Sequence, residues 1–243
     1  MRLLRRCCVA LALPLIAACV GYEGGLVRIP YIGESPPSVS RVKAPYELDR
    51  LRELHLPGLT LNLSLNDKLR TYASESVFVI PTHLDTKNTL TRFEKDRLQL
   101  ILHITPDQAG FIFSPTGIVV HVAGVKVETV SVWLEDRKKF DEAWVRYMAA
   151  LADSSAAIRR GVATDAVAEP QRPDPGEWRD SVSRPVPLDN VGQSYWFVVQ
   201  FATVVPAVDA EIVIDLSHSL KHARLPVIPP IRFKTIRWSE SHG

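Results

Sequence analysis

Cysteine is nearly missing from this sequence. The 243-residue chain has three, Cys7, Cys8 and Cys19, and none follows residue 19. Residues 20–243 therefore form no disulfide among themselves and offer no thiolate for catalysis or for zinc. A long hydrophobic run is missing too. A membrane-crossing helix needs roughly twenty apolar residues, and the apolar stretch from Cys7 to Ile16 is shorter and carries Pro14. No Gly-x-Ser-x-Gly elbow, Walker-type loop, Gly-x-Gly-x-x-Gly turn or His-Glu-x-x-His pair occurs. Charge of one sign is not in excess, with 29 Lys and Arg against 27 Asp and Glu. The basic surface that a nucleic-acid partner demands is thus not indicated. Histidine, carboxylate and hydroxyl groups are left as the chemical repertoire.

What is present begins at the amino terminus. Met1-Arg2-Leu3-Leu4-Arg5-Arg6 is basic, Cys7–Ile16 is apolar, and Ala17-Ala18 are small. That order, positive end, apolar core and small residues at a cut, is the layout of a secretory signal. Ile16-Ala17-Ala18-Cys19, an aliphatic residue and two alanines before a cysteine, resembles the lipobox of bacterial lipoproteins. The resemblance covers residues 1–19 only and implies that residues 1–18 are removed and that Cys19 becomes the acylated first residue. An ordinary secreted protein and a membrane-anchored one are the alternatives. The lone cysteine at the cut argues against the first, and the short apolar run against the second. Val20 is not the aspartate associated with inner-membrane retention in enterobacterial lipoproteins, which implies the outer membrane, facing the periplasm. Loss of Arg2, Arg5 and Arg6 leaves 26 basic residues against 27 acidic ones, a net charge of −1.

Residues 19–45 read as a lipidated flexible tether. Gly21, Gly24, Gly25, Pro30, Gly33, Pro36, Pro37 and Pro45 follow no period. Such a chain reaches roughly 25–30 Å. The alternative is that Leu26 to Tyr31 docks as an edge strand. Tyr46 to His55, with Leu48, Leu51 and Leu54 at intervals of three, predicts a short helix ending before Pro57-Gly58.

Residues 46–243 read as a single mainly β domain. Leu59–Leu65 alternates without exception, and Arg97–Ile104 places Leu98, Leu100, Leu102 and Ile104 on one face. Gly117–Val122 and Val125–Leu134 flank Ala123-Gly124, a hairpin signal. The apolar parity of the second arm reverses at Thr129. A strand has a side-chain period of two, so the reversal calls for a bulge or a crossing between sheets. Tyr195–Val199 is apolar at both parities, as in a central strand, and Asp209–Leu216 alternates again. Pro229-Pro230 leaves only the second half of Pro226–Trp238 free to pair. Short strands without a βαβ rhythm predict an antiparallel two-sheet β-sandwich. One amphipathic helix, about 136–153, is inserted, with Phe140, Ala143, Trp144, Tyr147 and Leu151 on the face expected to pack on the sheet. Residues 154–192, rich in alanine and then proline, read as a frayed helix and a long surface loop.

Candidate functional residues are few. Asp215, His218 and His222 are the right types for a transition-metal site, provided residues 217–222 form a helical turn. Lys221 beside them opposes a cation, and a polar loop is the competing reading. His103 and His121 make a second pair if their strands are neighbours. No cofactor is indicated. Trp178 and Arg179, within Pro175-Gly176-Glu177-Trp178-Arg179-Asp180, are an aromatic–arginine pair of the kind enriched at interface hot spots, unless Trp178 folds back as a plug. The expected function is a lipid-anchored, non-enzymatic protein-binding module of the cell envelope, a secretion or assembly accessory or an immunity-type inhibitor. Its partners would be the membrane, through the lipid on Cys19, and an envelope protein, with no nucleic acid. A metal-dependent envelope hydrolase built on His and Asp residues is the alternative.

Overall fold

The structure, a computed structural model, describes residues 19–44, 46–77, 80–85, 89–90, 97–160 and 170–242. In chain order the elements are β1 (Cys19–Ile32), β2 (Arg41–Lys43), α1 (Tyr46–Leu51), β3 (Glu53–Leu56), β4 (Leu59–Leu65), β5 (Leu69–Val77), β6 (Ile80–Asp85) and β7 (Thr89–Leu90). There follow β8 (Gln99–Pro106), β9 (Phe111–Phe113), β10 (Val119–Val122), β11 (Val125–Val127), β12 (Thr129–Glu135) and α2 (Arg137–Arg159). The chain closes with β13 (Arg179–Ser181), β14 (Val186–Leu188), β15 (Tyr195–Phe201), β16 (Ile212–Asp215), β17 (Leu220–His222) and β18 (Ile231–His242).

The architecture is the mainly β, sandwich-like one the alternation predicts, with α2 as its main helix. One sheet runs β11-β10-β16-β18-β1-β5-β6, with β2 added to β18 and β7 to β5. A second runs β13-β12-β15-β8-β4-β3, and a small third, β14-β9-β17, packs into the same core. Among the described pairings all are antiparallel except β2 with β18. The core lies between these layers. Leu59, Leu61 and Leu63 of β4 and Leu100, Leu102 and Ile104 of β8 meet Phe197, Val199 and Phe201 of β15. Val120, Ile212, Ile214 and Ile231 face them from the larger sheet. Phe113 of the third sheet sits with its ring 4.1 Å from that of Phe197.

The parity reversal at Thr129 has a physical origin. β10 and β11 form the expected hairpin over Ala123 and Gly124, both at positive φ as a type I′ turn requires. β11 belongs to the larger sheet and β12 to the other, so the chain changes layers at Glu128. A register shift between Thr129 and Ser131 accompanies the crossing. One continuous strand by sequence thus serves two sheets.

The segment read as a tether differs most from expectation. Cys19–Ile32 is a strand, paired with β18 along Gly21–Ile32 and with β5 along Cys19–Leu26. Its punctuation residues are accommodated locally. The β1–β5 register shifts between Gly24 and Gly25, where glycine tolerates a bulge. Pro30 lies beyond the β5 pairing, so its missing N–H costs no ladder bond on that side. The docked edge strand over Leu26 to Tyr31 is close to what is observed there, because among the described residues β1 pairs with β18 alone from Val27 onward. Val27, Ile29, Ile236 and Trp238 form a second small core closed by Val42 and by Leu48 of α1. The helix read over Tyr46 to His55 stops at Leu51, and Glu53–Leu56 pairs with β4 instead.

Behind β1, on the face away from that small core, Arg28 and Asp67 form a buried ion pair. Arg28 Nη2 also donates to the carbonyls of Ala207 and Ala210. Burial pushes the Asp67 carboxyl above the ordinary carboxylate range, and Arg28 pulls it partly back.

Candidate binding cleft

The six-stranded sheet has two unlike faces. Register alone defines a row across its outer face: Arg179 beside Glu135, Glu135 beside Trp196, Trp196 beside His103, and His103 beside Asn62. The next row toward the strand ends contains Val198, Ile101 and Ser64. Each of these positions is one residue away from a core residue, because successive side chains alternate. Phe197 is fully buried while Trp196 is half-buried on the opposite face.

Helix α2 does not lie flat on this face. It starts directly after β12, with Asp136 as its cap: Asp136 Oδ1 accepts the Lys139 N–H at 3.1 Å. Lys139 Nζ reaches the other oxygen at 2.9 Å, and these two hydrogen bonds, the side-chain one first, hold the Asp136 carboxyl below its usual range. Phe140 and Trp144 then roof a cleft of about 1030 Å³ over the outer row. Asp49, Arg52, Arg172 and Asp174 also line it. The Arg137 guanidinium is wedged between roof and floor, 4.6 Å from the Phe140 ring centre and 4.7 Å from that of Trp196. The expected packing of Phe140, Trp144 and Tyr147 into the sheet is replaced by this arrangement. None of the three belongs to the main core, and the face under Phe140 and Trp144 mixes polar Asn62, Ser64 and His103 with Ile101 and Trp196.

Most rings of the cleft are already engaged. His103 lies 3.4 Å from Trp196, Trp178 meets Phe140 edge-on at 6.0 Å, and Trp144 stacks at 6.0 Å on Phe140. Arg172 lies 5.4 Å over Trp144. Arg179 donates from Nε (2.9 Å) and Nη2 (2.7 Å) to Glu135 Oε1. A shallow dent on the opposite side of α2, along Lys138, Asp141 and Val145, is bounded by that helix alone.

The residues singled out by sequence are distributed as follows. Trp178 is folded back against the first turn of α2, its carbonyl accepting the Asp136 N–H at 2.9 Å. Arg179, at the start of β13, is part of the cleft wall. Asp215 ends β16, where its Oδ1 accepts the Ser217 N–H at 2.8 Å. His222 lies on β17 with both ring nitrogens engaged. Nδ1 accepts the Arg224 N–H at 3.1 Å, which leaves Nε2 as the donor to the Ala109 carbonyl at 3.2 Å. His218 is exposed in a tight turn that passes Gly117 so closely that a Cβ there would meet the His218 backbone at 2.5 Å. Among the described residues no three His, Cys, Asp or Glu side chains converge on a metal position. His103 and His121 are not neighbours, since β8 and β10 belong to different sheets.

Sequence reading missed the cleft because its residues come from seven separate elements and a loop. The one available signal was the polar parity of β4 and β8, where Asn62, Ser64 and His103 alternate with leucines. Comparison with protein-family models, with curated proteins and with solved structures finds no match for this chain.

Proposed function

We propose that this protein is a lipid-anchored, periplasm-facing module of the bacterial outer membrane that binds another envelope protein through the cleft beneath α2. Three features support the reading. The lipobox-like Ile16-Ala17-Ala18-Cys19 supplies the anchor. β1 begins at Cys19, and the eight residues to Val27 span roughly 26 Å at strand rise, so a paired ribbon sets the stand-off that a loose tether would otherwise provide. The cleft carries the reading: arginine and tryptophan, the side chains that dominate interface energetics, gather in one concavity on a rigid sheet.

The test is capture from solubilised envelopes with the processed, tagged protein. One stoichiometric protein partner is the expected result. Capture of no partner, together with a bound transition metal by elemental analysis, would favour a metal-dependent hydrolase and overturn the proposal. Cys19→Ser should abolish lipid labelling and leave uncut precursor. A variant processed to normal size and still membrane-bound would remove the anchor from the reading.

A further inference from the structure

The hydrogen-bonding capacity of the cleft is lopsided. Each of its three carboxylates has one oxygen bound, Glu135 Oε1 by Arg179, Asp49 Oδ1 by Arg52 at 3.4 Å and Asp174 Oδ1 by the Gly176 N–H at 2.8 Å, and the lining sets four arginines against these three acids. Two of the four arginines keep donors to spare. Arg137 uses Nε for Asp141 at 3.0 Å, while neither of its Nη groups bonds to a described residue. Arg172 is exposed, lies against Trp144, and makes no ion pair or hydrogen bond with a described residue. Both guanidinium groups lie over aromatic rings, contacts that leave their N–H donors available.

The chemistry of an occupant follows. The rings of Trp196, Phe140 and Trp144 each have a cation or a ring against them already, so they are poor platforms for a sugar. The available donors call for anionic oxygen. A polyphosphate would satisfy them but bring nothing to Ile101, Phe140 and Trp144, which line the same space. A polypeptide brings both carboxylates and apolar groups. The protein beyond its signal carries a net charge of −1, so attraction of acid to this place is local to the cleft rather than a property of the whole surface.

We infer that the cleft takes an acidic polypeptide segment, with its carboxylates on Arg137 and Arg172 and its apolar side chains against Ile101, Phe140 and Trp144. The inference rests on the protein-binding reading above and assigns the chemistry of the partner.

The test uses the full-length processed protein in detergent and three probes. These are a dye-labelled peptide alternating glutamate and alanine, its lysine–alanine counterpart, and inorganic polyphosphate. Saturable, salt-weakened binding of the glutamate peptide is expected, with affinity lowered about tenfold by Arg172→Gln or Arg137→Gln. Arg224→Gln, an exposed site outside the cleft, should change nothing. Arg172 is exposed, so its variant keeps the test valid even if Arg137→Gln proves unstable in a thermal melt. Equal binding of the lysine peptide, tighter binding of polyphosphate, or unchanged affinity in Arg172→Gln overturns the inference. Envelope capture repeated with Arg172→Gln separates the two claims. A partner retained by the variant leaves the protein-binding reading intact and removes the acidic segment from this cleft. No partner on the wild type removes the reading, while the peptide titration decides the ligand chemistry by itself.

Discussion

Phe197 and Trp196 are neighbours in sequence and belong to opposite worlds. Phe197 packs among Leu102, Phe113 and Val199 on the inner face of the sheet, where only apolar atoms meet. Trp196 faces His103, Arg137 and a water-accessible cleft. The inner face is apolar at every position along β4, β8 and β15, and is therefore explained by folding alone. The outer face mixes arginine, tryptophan and histidine with Asn62 and Ser64. That mixture is poor for stability, because every buried polar group must find a partner, and it is good for recognition.

The sharpest way to break the comparison is to truncate each neighbour. Phe197→Ala should cost about 3–5 kcal/mol, a fall in melting temperature of roughly 6–20 °C for a chain of this length. Trp196→Ala should cost less than half as much and should weaken the glutamate peptide instead. Equal losses of stability would mean that the outer face is part of the core after all, and the cleft would lose its claim to function.

Arginines offer the second contrast. Arg28 is sealed behind β1, with its Nη donors committed to Asp67, Ala207 and Ala210, whereas Arg137 and Arg172 have donors to spare. Asp67→Ala strands a buried guanidinium and should cost about 3 kcal/mol in a urea melt near neutral pH, without affecting peptide affinity. The pH dependence has a definite sign. Burial raises the Asp67 pKa in the native state, so between the unfolded and native values the native state holds more proton. Stability attributable to this group then falls as pH rises from about 4 through the raised native value. Asp67→Asn should flatten that portion of the profile, and an unchanged slope would show that Asp67 titrates as it does in the unfolded chain.

Trp144 is the third. A tryptophan in a packed core would cost about 3–5 kcal/mol on truncation, but Trp144 is half-buried in the roof of the cleft. Trp144→Ala is expected to cost under about 2 kcal/mol and to loosen peptide binding. A loss at the full core value would place the helix back on the sheet.

The two faces also differ in how legible they were. Alternation in β4, β8 and β16, the hairpin at Ala123-Gly124 and the central position of β15 follow from local periodicity and turn chemistry, which one strand carries by itself. The crossing of Thr129 between sheets announced itself as a parity error. Two things were not local. Gly24, Gly25 and Pro30 suggest flexible chain, yet a bulge and a missing neighbour strand make each of them harmless within β1. The cleft joins α1, β4, β8, β12, α2, β13, β15 and residues 172–174 across about 150 positions of sequence, and no period in one segment reports on what lies opposite. Trp178 and Arg179 stood out by composition. Their partners, Phe140 and Glu135, did not, because an aromatic on a helix face and an acid at a strand end are ordinary residues until the fold brings them together.

The smallest expected effect concerns the hinge between the faces. Asp136 lies between the end of β12 and the start of α2, and its carboxylate caps the helix. Its Oδ1 accepts the Lys139 N–H and its backbone N–H donates to Trp178, tying together strand, helix and the loop that carries Arg172. Asp136→Ala removes the side-chain cap and should lower the melting temperature by roughly 2–4 °C. The inner face is untouched, so the loss should appear as faster hydrogen exchange confined to the first turns of α2, with the amides of β8 and β15 protected as before. Since Arg137 is the next residue, a frayed first turn also frees its guanidinium from between Phe140 and Trp196. Peptide affinity should then fall by more than the melting temperature suggests. Asp136→Asn, which keeps an acceptor for the same N–H, should restore both. If Asn restores stability without restoring affinity, the carboxylate acts through its charge on Lys139 rather than through the geometry of the helix start.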